Sequence, residues 1–295
     1  MILGRRKIFS QNNNALVAGP FVGEFGWELM EWQGYIRKLS RKYDTTVSIS
    51  YNSSKYLYET CEFFAHNFSL ERSGYGYGKC EPEEMQRIVE RAAEAYGLSE
   101  YDVIQPVDLH RINRILFGKQ IFRKFCEDSN ERLDIVFSFR DMLREDGNEK
   151  NYEKKNIQPI LDYCDHNGLR YGFIGLPQYS YCPNDKFDLR STDLKETIAH
   201  ISSSALVVGG SSGPMHLASL CGKPIVVWTG APSITRRYFA AWNPFAVSVY
   251  VVTENTFNPS PEAVIETIRM ALDETRTSQV QKESRFKKLQ LRNLI

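Results

Sequence analysis

Residues 209–224 read GGSSGPMHLASLCGKP. The four residues before them, Ala205-Leu206-Val207-Val208, form a short apolar run of the kind that makes a buried strand. A helical pattern begins at Pro214, as soon as the run of small residues ends. The chain therefore reads strand, glycine turn, helix. Gly209, Gly210 and Gly213 permit a tight turn and a close approach of backbone to a ligand. Pro214 suits the first helical turn, where a missing N–H costs nothing. Unpaired N–H groups and the helix dipole favour an anion at such a terminus, and Ser211 and Ser212 can add hydroxyl donors. The turn alone fits an ordinary strand-to-helix connection with a serine cap equally well, and His216 alone fits a packed helix residue. A serine pair and a histidine aimed at one strand end favour an anion site.

The same alternation continues outward in both directions. Strands are expected at 15–21, 45–50, 101–107, 133–139, 169–174, 205–208, 225–228 and 247–252. Helices are expected at 27–43, 55–64, 83–96, 109–125, 157–166, 194–202, 214–221, near 233–241, and at 261–276, where Pro261 opens the last. Ser191 or Asp193 can cap the helix at 194. Residues 73–78, Ser-Gly-Tyr-Gly-Tyr-Gly, read as a loop, either exposed or covering an acceptor. The polar segment 127–132 is the best boundary. It divides the chain into 1–128 and 129–276, followed by a basic helical tail, 277–295, carrying Arg285, Lys287, Lys288 and Arg292. Regular alternation predicts two α/β domains with mainly parallel sheets. Ligands then bind beyond the carboxyl ends of the strands, and the cleft between the domains is the default site.

Bulk properties narrow the class. The 295 residues are 42% hydrophobic and 25% charged, with a formal net charge of +1. That balance suits a soluble protein and supplies no global field for nucleic acid or an anionic membrane. No apolar run is long enough to span a bilayer, and the polar N-terminus lacks a secretory core. The six cysteines lack CxxC or zinc spacing and read as reduced, cytosolic core fillers. A cytoplasmic location follows as the expectation.

The segment Thr192–Trp228 joins a leucine-bearing helix, a small-residue strand, the Ser-Ser-Gly-Pro-Met-His-Leu-Ala turn and helix, and Gly-Lys-Pro before an apolar strand. It resembles the C-terminal domain of the lipopolysaccharide heptosyltransferase-like glycosyltransferases, family nine. About forty residues match closely, and the alternating layout matches over most of the chain. Ser211 stands where the family carries Asp. The resemblance implies a GT-B-like fold, two Rossmann-like domains facing a central cleft, with the tail helix crossing back to the first domain. It implies a glycosyltransferase of hexosyl or heptosyl class, inverting and metal-independent, with a nucleotide-sugar as co-substrate and no cofactor. The donor diphosphate would lie over Gly210, Ser211, Ser212, Gly213, Pro214, Met215 and His216. Its charge must then be met by donors and cations. Arg140, just past the first strand of this domain, is the leading clamp. Lys150 or Lys154 stands behind it, and Arg236 or Arg237 follows the Trp228 strand end.

The first domain has a similar turn, GPFVGEFGWELMEWQ at 19–33. Acidic groups at a helix N-terminus also serve the dipole alone. Inverting transfer, however, needs a base for the acceptor hydroxyl. The family supplies it from a Gly-Asp pair after the first strand, and Gly23-Glu24 is the matching pair. Glu28, one turn on, is the reserve base or a ligand for an acceptor hydroxyl. Trp27, Trp32 and Tyr35 are core residues or a sugar platform. The acceptor would be a carbohydrate or glycolipid, with peripheral membrane contact as one option and nucleic acid disfavoured. A nucleotide-sugar 2-epimerase and a non-catalytic nucleotide- or glycan-binding module are the alternatives.

Overall fold

The computed structural model describes residues 14–68, 80–106, 119–129, 132–142, 150–254 and 256–292. The chain forms two compact units, Met1–Arg123 and Lys124–Ile295. The division falls ahead of the polar segment 127–132. Phe125 is already buried, and its N–H donates to Leu220 O at 3.0 Å. The Lys124 side chain lies against Gly222.

In the first unit β1 (Ala15–Ala18), β2 (Thr45–Ser50), β3 (Glu62–Ala65) and β4 (Asp102–Ile104) form a parallel sheet in the order β3-β2-β1-β4. Strand alternation sends Val17, Val47 and Ile49 to one face, where they pack with Val89, Ala92 and Ala93 of the helix Pro82–Ala95. Pro82 opens that helix, with Glu83 and Glu84 in its first turn.

Three expectations change here. The helix expected at 55–64 is a 3-10 helix, Asn52–Tyr58, followed by β3. As an edge strand with Glu62 and Ala65 exposed, β3 lacks the alternation that marks a half-buried strand. The first helix begins at Phe25 and is not uniform: Phe25–Trp27 is α-helical, Glu28–Trp32 is a π segment, and Gln33–Leu39 is α-helical again. Of the helix expected at 109–125, residues 119–125 are irregular and the rest lie outside the described residues, as does the loop at 73–78.

In the second unit β5 (Leu133–Arg140), β6 (Tyr171–Phe173), β8 (Ser204–Gly210), β9 (Ile225–Trp228) and β10 (Val249–Val251) run parallel in the order β10-β9-β8-β5-β6. A two-residue strand absent from the sequence reading, β7 (Ser180–Tyr181), pairs antiparallel with the end of β5. Alternate residues of β5, Ile135, Phe137 and Phe139, enter a core with Leu206, Val208, Val226 and Trp228. The helix Ile157–His166 covers that core with Ile157, Ile160, Leu161 and Cys164, and the helix Pro261–Arg292 with Val264, Ile268, Ala271 and Leu272. Both sets follow the helical spacing that lines one face. Each large apolar side chain so buried contributes about 1.5–3 kcal/mol. Asp193 caps the helix Leu194–Ser203 by accepting from Lys195 N at 2.8 Å.

The helix opening at Pro261 runs unbroken to Arg292, so no separate element begins at 277. The side chains of Arg285, Lys287, Lys288 and Arg292 lie outside the described residues. No described helix is long and apolar enough to cross a membrane. Only Cys164 and Cys221 are buried; Cys126 is exposed, and Cys61, Cys80 and Cys182 are half-buried, so most of the six are not core fillers.

Candidate active site

The register of the second sheet assembles the site. Ser138 pairs with Gly209, and Gly210 pairs with Trp228. The three central strands therefore end at one level. Arg140, the last residue of β5, comes two residues after Ser138 and belongs to the strand beside the 211–212 turn. Sequence reasoning placed Arg140 and this turn at one sheet edge, and the register does so. Arg140 is half-buried, with Nη2 3.8 Å from Met142 Sδ.

The glycines have a different cause from the one expected. A Cβ on Gly209 would lie 2.6 Å from Ser138 O and 3.0 Å from Met215 Sδ, and one on Gly210 would lie 2.9 Å from Trp228 Nε1. Both positions are small because neighbouring strands and Met215 fill the space. Met215, fully buried, is a packing residue beneath the turn and offers nothing to a ligand.

The turn has fewer open donors than its sequence suggests. Ser211 N–H donates to Trp228 O at 3.0 Å. Tyr238 Oη donates to Ser211 Oγ at 3.0 Å, and the Ser212 N–H is directed at that same phenol oxygen. Pro214 has no N–H, while Met215 N and His216 N both return to Ser212 O, at 3.1 and 3.3 Å. The helix Gly213–Leu220 is thus left with the Gly213 N–H and the Ser211 and Ser212 hydroxyl protons as donors for an anion.

His216 stands in an aromatic box. Its ring stacks on Tyr238 at 5.2 Å and meets Trp242 edge-on at 4.5 Å. Burial, with the nearby Lys150 ammonium second, pushes its pKa down to about 3. It is a neutral imidazole, and Nδ1 is buried without a hydrogen-bond partner among the described residues. The cation is Lys150, which lies 5.9 Å from the centre of the Phe257 ring. Phe257 in turn fills the space over Gly230, just after β9. Lys154 instead pairs with Asp141 at 2.8 Å. Arg236 is exposed on the helix Pro232–Tyr238, and Arg237 lies over Trp242 at 5.0 Å. Sequence reasoning missed Tyr238 and Trp242: Tyr238 ends the helix Pro232–Tyr238, and Trp242 lies in the turn that follows, where its N–H donates to Arg237 O at 2.8 Å.

In the first unit the loop after β1 carries Glu24. Phe21, Val22 and Gly23 are buried, and Glu24 is half-buried. Glu24 O accepts from Trp27 N at 2.9 Å and from Glu28 N at 3.1 Å, which starts the helix. Glu28 is a correction. It is fully buried, and its carboxylate accepts hydrogen bonds from Ser50 Oγ, Ser54 Oγ at 2.7 Å and Tyr58 Oη at 2.7 Å. Burial raises its pKa, and the three hydroxyls act against that shift. Those hydroxyls take up the lone pairs an acceptor would need. Trp32 and Tyr35 are buried, whereas Trp27 is half-buried. Among the described residues no group of three His, Cys, Asp or Glu side chains could hold a metal ion.

No family model matches the sequence, and no curated protein matches it. Solved structures do match. A family 9 glycosyl transferase from Veillonella parvula is 12% identical, covers 88% of this chain and 97% of its own, and superposes with a TM-score of 0.57. The ADP-heptose lipopolysaccharide heptosyltransferase II of E. coli is 14% identical over 89% of this chain and 99% of its own, with a TM-score of 0.53. The E. coli heptosyltransferase WaaC, solved with ADP, is 10% identical over 87% and 99%, with a TM-score of 0.53. At such identities the likeness is one of fold. The chain has the fold of the GT-B-like glycosyltransferases, with a parallel α/β sheet in each unit. More narrowly, it is the fold of the family nine heptosyltransferases.

Proposed function

We propose that the protein is a glycosyltransferase moving a hexosyl or heptosyl group from a nucleotide-sugar to an acceptor hydroxyl, with inversion and without a metal. The observation carrying this reading is the set of groups at the ends of β5, β8 and β9. Arg140 stands on the strand beside a helix N-terminus that keeps the Gly213 N–H and two serine hydroxyls for an anion, and the Lys150 charge acts on His216 in the same turn. Such an arrangement suits a diphosphate. The two heptosyltransferases of like fold, one working with ADP-heptose and one solved with ADP, make a nucleoside diphosphate the natural occupant.

In the proposed reaction Glu24 takes the proton of the acceptor hydroxyl while that oxygen attacks the anomeric carbon. The bond from that carbon to the diphosphate oxygen breaks, and the nucleoside diphosphate leaves with the electron pair. Arg140 and Lys150 offset the charge that develops on it. His216, being neutral, orients the diphosphate through a ring nitrogen. The acceptor is a carbohydrate or glycolipid, and the protein works in the cytoplasm, in contact with a membrane surface where its acceptor is a lipid.

The test is calorimetric titration with ADP, UDP, GDP and CDP, followed by turnover of the corresponding nucleotide-sugars. Binding of at least one diphosphate, weakened about tenfold or more by Arg140→Ala, is expected. Absence of binding by all four sinks the proposal.

A further inference from the structure

We propose that Tyr51 and His66 are positioning residues for Glu24, clamping its loop through two successive carbonyls; this rests on the reading of Glu24 as the base. The loop leaves β1 at Gly19 and reaches Glu24 after five residues. Tyr51 Oη donates to Val22 O at 2.8 Å, and His66 Nε2 lies 2.6 Å from Phe21 O. Phe68 N–H donates to His66 Nδ1 at 3.2 Å. Since Nδ1 accepts, the proton of the neutral ring sits on Nε2, which makes His66 the donor to Phe21 O. The two rings meet edge-on at 4.5 Å, so each holds the other in place.

The clamping residues come from the strand ends beside the loop. Tyr51 directly follows β2 and His66 directly follows β3, and His66 N–H donates to Ser50 O at 3.1 Å. Beyond Glu24 the chain is fixed a second time. Glu28 N–H holds Glu24 O, and the Glu28 carboxylate is tied to Ser50, Ser54 and Tyr58. Glu24 thus stands half-buried between two anchors, each built on the end of β2. A catalytic carboxylate needs this, because small misplacement costs large factors in rate.

The variants are Tyr51→Phe, which removes one hydroxyl, His66→Phe, which keeps a ring without the donor, and His66→Gln, which restores an N–H at similar reach. Hydrogen–deuterium exchange is followed on peptides covering 19–31. Release of nucleoside diphosphate from ADP-, UDP- and GDP-sugars is measured alone and in a Glu24→Gln background. Exchange across 21–27 should rise about fivefold in the two Phe variants and return towards wild type in His66→Gln, with the β2 amides unchanged. Turnover should fall about tenfold with donor KM held, and no further loss should appear in the Glu24→Gln background. Unchanged exchange across 21–27 in both Phe variants overturns the clamp. Equal losses with and without Glu24 overturn its action through Glu24. Normal turnover of Glu24→Gln alone removes the base assignment, while the exchange result still decides the clamp.

Discussion

Tyr238 and Ser211 are joined by a hydrogen bond of 3.0 Å from the phenol to the serine hydroxyl oxygen. The bond ties the helix after β9 to the turn after β8, where family nine carries Asp. Ser211 can accept from Tyr238 and still donate its own proton, which an aspartate cannot do. Tyr238→Phe should therefore weaken diphosphate binding several-fold and lower stability by about 1–2 kcal/mol. Calorimetry and denaturant unfolding of the variant check both.

Arg140 and Lys150 are the charges assigned to the diphosphate. Loss of a charge-assisted hydrogen bond costs about 1.5–3 kcal/mol. Arg140→Ala and Lys150→Ala should each weaken nucleoside diphosphate binding about tenfold or more and reduce its salt dependence. Arg236→Ala, at an exposed position, should leave the affinity within twofold.

The pKa of His216 is depressed to about 3 from an ordinary value near 6.5. The fold favours the neutral ring, so its contribution is fully present above pH 6.5 and declines as pH falls towards 3. Each unit of depression corresponds to about 1.4 kcal/mol. His216→Gln should thus gain in Tm relative to wild type as pH falls from 6.5 to 4.5. A constant difference in Tm across that range would falsify the buried neutral ring.

Glu28 moves the other way. Burial raises its pKa, so the protonated acid is favoured, and stability from this group is greatest below its ordinary value and is lost as pH rises through the folded value. Glu28→Gln should gain on wild type between pH 4.5 and 7. Glu28→Ala strands three hydroxyls and leaves a cavity, and should cost about 3 kcal/mol or more. Thermal unfolding of the two variants across that range separates these effects.

Glu24→Gln keeps shape and removes basicity. Sugar transfer should fall by about a hundredfold or more, while binding of the nucleoside diphosphate stays unchanged. Single-turnover kinetics together with calorimetry read the two effects separately.

The second unit was more legible in the sequence than the first, for physical reasons. Residues 204–228 announce themselves because a buried parallel strand is a continuous apolar run, and Gly, Ser and Pro mark where it stops. Arg140 was findable as the first cation past such a strand. β3 was not, because an edge strand exposed at both ends lacks the alternating signature. Glu28 was misread because an acidic residue near a helix start looks the same whether it serves a dipole or is buried. Its partners Ser50, Ser54 and Tyr58 lie 22, 26 and 30 residues away, beyond any local pattern. Gly209 and Gly210 were read as making room for a ligand, whereas Ser138, Met215 and Trp228 fill the space over them.

Gly210 and Trp228 carry a consequence for how this sequence can drift. The indole leaves no room for a methyl group at 210, since that carbon would lie 2.9 Å from Nε1. Position 210 cannot gain a side chain while the indole is present, so glycine at 210 and tryptophan at 228 should be inherited together. A lineage that acquires a side chain at 210 is expected to have lost its tryptophan at 228 first.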